Sequence, residues 1–178
     1  MLSVILIQSD MNMQYHPITQ QIVDLLKTNS VWFETFEHEA VTTSEDAARV
    51  RPKYTLSQGA KAIVVKVETR NREESFVMLV MPADLKLNSK KVKVALDLRS
   101  FRFATEEEIS DITQGLQRGG VPPFGNLFPK PTAVHIDPKM FESEKIIFNA
   151  GDRCFSIAMK SEDYKRLVCP LVVDIVES

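Results

Sequence analysis

The sequence has few of the residues on which metal sites, disulfides and membrane spans depend. Among its 178 residues are two cysteines and three histidines, with no CxxC pair and no spacing typical of metal ligands. We therefore expect no metal, and reduced thiols that fit a cytoplasmic protein. The first apolar run, residues 2–7, is interrupted by a serine, is too short to cross a bilayer and follows no basic region. This predicts neither a signal peptide nor a membrane anchor.

A large charge of one sign is also lacking, because the formal net charge is -2. A balanced chain is not expected to coat nucleic acid nonspecifically, although a local basic patch can still contact phosphates. The clearest patch is the lysine cluster, defined here as Lys86, Lys90, Lys91 and Lys93. It is either a solvated helix face or a set of phosphate contacts.

The motifs of the common nucleotide, zinc-protease and serine-hydrolase sites are missing as well. No G-x-x-x-x-G-K-S/T, G-x-G-x-x-G, H-E-x-x-H or G-x-S-x-G sequence occurs, so we expect no cofactor. His38, between two glutamates at the end of a predicted strand, is either a general base or a structural histidine, the second being the commoner case. Cys154 has no histidine nearby in sequence to activate it, which disfavours a nucleophile.

The chain does contain many short strand patterns interrupted by single helices. Capped or amphipathic patterns predict helices at 17–29, 44–51, 89–98, 105–113 and 161–168. Strand composition occurs at 31–37, 61–67, 76–81, 101–104, 132–136, 145–148, 155–159 and 171–176. Because neither a regular βαβ alternation nor a repeat is visible, the order predicts an α+β fold with a mixed sheet. We expect one domain at 15–178, preceded by a loosely ordered extension at 1–14.

Residues 119–125, Gly-Gly-Val-Pro-Pro-Phe-Gly, form the most informative segment. Its glycines and prolines exclude a helix interior and a central strand, because proline lacks the amide donor and glycine loses the most backbone entropy. A rigid loop whose glycines carry no Cβ lets a carbonyl or phosphate oxygen come close to backbone amides. The alternative is a tight crossover between two elements.

Two further segments carry side chains that could bind a ligand. Lys61 opens a predicted strand, and most such lysines are solvated. In a pocket, its ammonium would instead hold a phosphate, a carboxylate or a carbonyl as a compact point charge. The sequence Asn-Ala-Gly-Asp-Arg at 149–153 predicts a hairpin turn, whose Arg153 either stays in solvent or reaches a ligand phosphate.

Four segments in this order resemble one known family. They are Thr-Ser-Glu-Asp-Ala-Ala at 43–48, Gln-Gly-Ala-Lys-Ala at 58–62, the loop at 119–125 and the turn at 149–153. The chain resembles the YbaK/prolyl-tRNA-synthetase-associated domains, which are aminoacyl-tRNA editing domains. In that family a lysine starts a central strand and a Gly-x-x-x-Pro loop follows later. The resemblance spans roughly residues 17–176, including the closing helix and the final Val-Val-Asp-Ile strand.

The resemblance implies a barrel-like mixed sheet with surrounding helices and a free-standing hydrolase that removes a wrong amino acid from a transfer RNA (tRNA). Loop amides would hold the substrate carbonyl, the lysine would grip the substrate near its amino group or terminal phosphate, and a ribose hydroxyl would help water attack. No metal is implied. Catalysis falls to Lys61, Gly119, Gly120 and Pro123. Substrate contacts fall to Thr43, Ser44, Ala62, Val121, Phe124, Gly125, Asp152 and Arg153.

The implied partner is the acceptor end of a mischarged tRNA, and an aminoacyl-tRNA synthetase is left open as a second partner. The chain departs from some family members at Pro122, where they carry a serine, and this leaves substrate choice open. Small residues after Lys61 favour a small uncharged amino acid. Two other functions stay open: a binding module with the same fold and no hydrolysis, and a hydrolase for another small activated ester.

Overall fold

The computed structural model describes residues 15–41 and 43–177, so the predicted extension at 1–14 lies outside the described residues. This part of the chain contains five α-helices, α1 Pro17–Thr28, α2 Ser44–Arg49, α3 Ser89–Ala95, α4 Glu106–Thr113 and α5 Ser161–Val168. The strands are β1 Phe33–Glu37, β2 Ala60–Thr69, β3 Glu74–Pro82, β4 Leu98–Phe103, β5 Ala133–Ile136, β6 Lys145–Asp152, β7 Phe155–Lys160 and β8 Leu171–Val172. The α+β prediction is confirmed.

Local side-chain caps explain where the helices begin. Thr43 accepts a hydrogen bond from the Asp46 amide at the start of α2, and Asp46 lies in a first turn that favours acids. Thr105 and Glu108 form a reciprocal capping box at the start of α4. At α1, Pro17 occupies the first turn, where its missing amide costs no helical hydrogen bond.

The strands form two sheets that meet beside the start of β2. The larger is mixed, with strand order β4-β2-β3-β5-β8, and the smaller is antiparallel, with order β1-β7-β6. Strands β3, β5 and β8 run parallel to one another, whereas β2 pairs antiparallel with β3 and β4. A parallel bridge between Gly59 and Ile147 joins the two sheets, which gives the mixed, barrel-like arrangement.

Alternating side chains of β2 contribute to two separate cores. Val64 packs in the main core, between the sheets and helices α1, α4 and α5. Val65 and Val67 pack in a second core with α3 and the C-terminal segment. Because both faces of the strand are covered, β2 is a rigid platform, and its first residues stand at the junction of the two sheets.

The structure corrects three predicted boundaries. The hairpin predicted at 149–153 is present, but its turn is formed by Arg153 and Cys154, because β6 continues to Asp152 through a bulge and Asn149 pairs with Ser156. Gly151, at φ +97°, supplies the left-handed conformation that such a bulge needs. Helix α3 ends at Ala95, and the strand predicted at 171–176 is limited to β8 and a bridge at Val176. In the described residues, no helix is long and apolar enough to cross a membrane.

Candidate active site

A pocket of about 400 Å³ lies where α2, the start of β2, strand β6 and the loop at residues 119–125, called the glycine loop below, meet. Its walls include six of the residues that the sequence analysis singled out, namely Thr43, Ser44, Lys61, Ala62, Gly119 and Val121. They come from three distant parts of the chain, and the junction of the two sheets brings them together. The other six, Gly120, Pro123, Phe124, Gly125, Asp152 and Arg153, lie behind or beside the wall.

The side chains that line this pocket carry charge of one sign. Three cations, Arg51, Lys61 and Arg118, belong to the lining. In the described part of the chain, no aspartate, glutamate, histidine or cysteine lines it. A concave site with cations and no carboxylate attracts anions and oxygen atoms, although the whole chain has a net charge of -2.

Lys61 is held at the mouth of the pocket by the start of β2. It is half-buried and pairs across the sheet with Met81. Its Nζ lies 3.4 Å from the carbonyl oxygen of Leu85, a long hydrogen bond. Among the described residues, no carboxylate forms a salt bridge with Lys61, whereas Lys66 on the same strand pairs with Glu74 at 2.6 Å. The Lys61 ammonium therefore keeps donors for a ligand.

The β6–β7 hairpin holds the carbonyl groups of the glycine loop. Arg153 donates to the carbonyl oxygen of Arg118 through Nε at 2.9 Å and Nη2 at 2.6 Å. Asn149 Nδ2 donates to the carbonyl oxygen of Gly119 at 2.6 Å. The amide of Gly151 donates to the carbonyl oxygen of Gly120 at 2.9 Å. Three successive carbonyls thus point toward the hairpin.

This arrangement fixes the direction of the loop amides. A trans peptide holds its N–H opposite its C=O, so the amides of Gly119, Gly120 and Val121 point away from the hairpin. Gly120 donates its amide to the carbonyl oxygen of Gln117 at 3.0 Å. The amides of Gly119 and Val121 have no hydrogen-bond partner among the described residues, and both residues line the pocket. Two backbone donors are therefore left for a ligand.

The second half of the loop is packed into the core. Phe124 is fully buried and contacts Phe148 and Tyr164, with ring centroids 5.3 and 5.4 Å away. The buried Tyr164 hydroxyl donates to the carbonyl oxygen of Pro123 at 2.6 Å. A Cβ on Gly125 would overlap the carbonyl oxygen of Thr132. These three residues support the loop from behind, and any direct role for them in catalysis stays a prediction.

We expect Tyr164→Phe to destabilise the protein by about 1–3 kcal/mol, because it leaves the buried carbonyl of Pro123 without a donor. Burial strongly raises the pKa of Tyr164, so its hydroxyl keeps its proton and this hydrogen bond throughout the neutral range. Urea unfolding of the two proteins measures the difference. An unchanged free energy of unfolding would show that Tyr164 does not support the loop.

Sequence reasoning missed the side chain that is buried deepest among the pocket cations. Arg51 is 5% exposed, and its Nη2 donates to Asn149 Oδ1 at 2.5 Å. The same oxygen accepts a hydrogen bond from Ser156, whose hydroxyl oxygen lies 2.6 Å from Nε2 of His38. An arginine directly before Pro52 gives no sign of burial, and Asn149 has the composition of a turn. No local signal could therefore have identified this network.

Other predicted residues have structural contacts that account for their positions. Asp152 accepts a hydrogen bond from the Cys154 amide at 2.8 Å, within the β6–β7 hairpin. Lys91 of the lysine cluster pairs with Asp174 at 2.8 Å, and none of the cluster lines the pocket.

Across residues 15–41 and 43–177, no group of three histidine, cysteine or acidic side chains could hold a metal ion. The absence of a metal and a cofactor stays a prediction.

Comparison with known proteins places this geometry in a family. The sequence model of a family described as the aminoacyl-tRNA editing domain matches residues 38–167, which include α2, Lys61, the glycine loop and Asn149. The chain belongs to the aminoacyl-tRNA editing domain family. Editing is the hydrolysis of the ester between an amino acid and its tRNA, so this editing domain is a hydrolase.

Two curated relatives and one solved structure agree with this assignment. The relatives, from Escherichia coli strain K12 and from O157:H7, are each described as the multifunctional Ser/Thr-tRNA deacylase ProXp-y. Each is 32% identical over 156 residues, 87% of this chain and 90% of the relative. The crystal structure of a candidate trans-editing enzyme for prolyl tRNA synthetase has a TM-score of 0.75 at 18% identity, covering 92% of this editing domain and 99% of that chain. This last likeness supports the fold.

Proposed function

We propose that this editing domain acts in trans on a tRNA that carries a wrong, small amino acid and hydrolyses its ester. The observation that carries the proposal is one pocket that combines a half-buried lysine without a carboxylate partner and two loop amides that are free among the described residues. Membership of the editing family supplies the reaction class. The domain limits at 15–178 and a cytoplasmic location, where charged tRNA is found, belong to the same proposal.

The charge of the pocket favours one of the two roles open to Lys61. An aminoacyl ester carries an α-ammonium group, and two like charges in a confined site repel each other. The pocket lining contains no carboxylate that could offset this repulsion among the described residues. We therefore place the Lys61 ammonium on the terminal phosphate or the ester carbonyl, and not on the amino group.

The loop amides suit the negative charge that develops on the carbonyl oxygen. When water adds to the carbonyl carbon, the oxygen becomes an oxyanion, which the amides of Gly119 and Val121 would stabilise by hydrogen bonds. The amide of Gly120 already donates to Gln117, so its contribution is to shape the loop. Arg153 holds the carbonyl of Arg118 and the amide of Gly151 holds that of Gly120, which orients these two amides before the substrate binds.

The proton transfers are assigned to the substrate. Among the described residues, no histidine, aspartate or glutamate that could act as a general base lines the pocket. Tyr54 does line it, and its hydroxyl donates a hydrogen bond to Glu34 at 2.8 Å. Burial raises the pKa of Tyr54, which disfavours its ionised form. A ribose hydroxyl would orient the attacking water. The ester C–O bond then breaks, and the ribose oxygen takes the proton that water loses.

The amino acid is expected to be small and uncharged. The pocket wall includes the small residues Ala47, Ala48, Ala60 and Ala62. The relatives are described as acting on seryl and threonyl tRNA, which makes these two amino acids the first candidates. A hydrophobic pocket discriminates by only about 1–3 kcal/mol per methylene, so alanyl and cysteinyl esters belong in the same test. Pro122 is buried and outside the pocket lining, so its effect on specificity would act through the shape of the loop.

The decisive experiment is a panel of tRNAs charged with matched and mismatched amino acids, in which loss of the ester is followed. We expect hydrolysis of at least one seryl, threonyl or other small mismatched ester and little hydrolysis of large ones. Binding without hydrolysis of any ester would favour the binding module. A panel repeated with a purified synthetase tests whether that second partner is required.

Phe103 should distinguish a tRNA substrate from another small ester. Its side chain is 58% exposed at the rim of the pocket, where a base of the acceptor end could stack on it. Stacking is worth about 1–3 kcal/mol per base, so Phe103→Ala should raise KM for charged tRNA by about 10-fold and leave hydrolysis of a small aminoacyl ester unchanged. Trp32→Ala, which removes an exposed aromatic residue outside the pocket lining, is the matched control.

An equal effect of Phe103→Ala on both substrates would show that tRNA does not stack on Phe103.

The lysine cluster provides a second way to distinguish a tRNA substrate from a small ester. If Lys86, Lys90 and Lys93 contact phosphates, KM for tRNA should rise steeply with salt. In a plot of log KM against log salt concentration, each contact should add about 0.7–0.9 to the slope. A KM that is independent of salt would favour the small-ester hydrolase.

A further inference from the structure

Arg51 has more hydrogen-bond donors than the described protein groups use. Its guanidinium has five N–H donors, and one hydrogen bond, from Nη2 to Asn149, is formed with a described residue. Nε is fully buried and has no hydrogen-bond partner among the described residues, so a ligand would reach the guanidinium through its Nη groups. Among the described residues, no carboxylate forms a salt bridge with it, although the residue is only 5% exposed. Burying a cation without a charged partner costs free energy, and a negatively charged ligand that pairs with it would offset this cost.

The burial of Arg51 indicates which part of the substrate could reach it. Exposure falls from Arg118 to Lys61 and then to Arg51, so Arg51 is the least accessible of the three cations that line the pocket. An RNA phosphate is attached to the bulk of the tRNA and would meet the outer cations. The small aminoacyl group is the part of the substrate that can reach the interior.

We propose that Arg51 is the binding site for the carboxylate of the released amino acid, so that the free amino acid competes with charged tRNA for the pocket. The inference rests on the proposed function, because it takes the pocket as the aminoacyl site. An ester has no negative charge beside the amino acid, whereas hydrolysis creates a planar carboxylate with two oxygens. A guanidinium fork matches this group in shape and charge.

Arg51 is rigid enough to act as such a site. Asn149 Oδ1 fixes Nη2, and Asn149 itself is held by Ser156 and by the carbonyl of Gly119. Burial lowers the pKa of Arg51 to about 10, which still leaves the guanidinium charged at neutral pH. The same contacts couple the site to the loop, since Asn149 links Arg51 to the peptide beside the free amides.

The test compares L-serine with L-serinamide, which differ in the carboxylate and keep the same side chain. Both are titrated into the full-length protein at about pH 6, where both α-amino groups are protonated. Wild-type protein should bind serine about 10- to 100-fold more tightly than serinamide, because a charge-assisted pair is lost with the amide. Serine should also shift the proton resonance of Arg51 Nε–H, and serinamide should not.

Variants then assign the effect to Arg51. In Arg51→Met the ratio of the two affinities should fall to about one, while Arg49→Met, at an exposed arginine two residues earlier, should keep the wild-type ratio. Equal affinities in the wild type, an Nε–H resonance unmoved by serine, or a stronger response to inorganic phosphate would overturn the proposal. The Nε–H readout needs no variant, so it decides even if Arg51→Met does not fold.

Deacylation of the tRNA panel by the same wild-type preparation separates this inference from the proposed function. Hydrolysis of a mischarged tRNA together with equal binding of serine and serinamide would overturn the carboxylate site alone. Preferential binding of serine without any hydrolysis would support the carboxylate site and overturn the deacylase proposal.

Discussion

Lys61→Ala is expected to lower kcat/KM for deacylation by about 10²-fold or more while the protein stays folded. The loss follows because Lys61 is the half-buried cation of the pocket that has no salt-bridge partner among the described residues. Removing a donor that stabilises transition-state charge typically costs about 10²- to 10³-fold in rate. The only described hydrogen bond of its side chain is the 3.4 Å contact with Leu85, so we expect a stability change within about 0.5 kcal/mol.

The control for this variant lies five residues further along the same strand. Lys66→Ala removes an equal charge and an ion pair with Glu74, outside the pocket lining. It should retain wild-type turnover. Full turnover by purified, folded Lys61→Ala would remove Lys61 from the mechanism, and an equal loss in both variants would indicate a general effect of charge.

Gly119→Ala should lower kcat by about 10²-fold through the backbone of the loop. Gly119 has φ +89°, which costs a residue with a Cβ about 1–2 kcal/mol, so alanine favours a different backbone angle. A Cβ there would lie 3.5 Å from Arg153 Nε, an ordinary contact, and steric overlap therefore contributes little. A change in φ would turn the amides of Gly119 and Val121 away from the carbonyl oxygen.

Gly115→Ala provides a matched control for the backbone cost. Gly115 has φ +110°, a Cβ there would have no neighbour within 4 Å, and the residue lies outside the pocket lining. Both variants should lose similar stability in urea unfolding, and only Gly119→Ala should lose turnover. Normal kinetics in Gly119→Ala, or an equal loss of kcat in both variants, would contradict the role of the loop amides.

The parts of this account that the sequence could predict depend on local signals. Thr43 and Thr105 start their helices because a hydroxyl, followed by acids, satisfies the first amides of a helix. The loop at 119–125 is irregular because its glycines and prolines exclude regular structure. The order of such segments was specific enough to identify the family, although each motif alone is common.

The rest depends on contacts between residues far apart in the chain. Arg51 and Asn149 are separated by 98 positions, and their hydrogen bond exists because the segment just after α2 and strand β6 line the same pocket. Asn149 was predicted in a turn, but the bulge at Gly151 lets β6 continue, so that Asn149 lies in this strand. From there its side chain reaches the loop. Sequence also could not show that Val121 faces the pocket while Pro123 and Phe124 face the core, since no period governs an irregular loop.

Single-turnover deacylation of seryl, threonyl and alanyl tRNA by the wild-type protein tests the central claim most directly. The account predicts that at least one mismatched ester is lost at a rate far above its spontaneous hydrolysis, without added metal or cofactor, and that free serine slows the reaction. Spontaneous rates for every ester in the presence of excess folded protein would contradict the assignment of this pocket as a deacylase site.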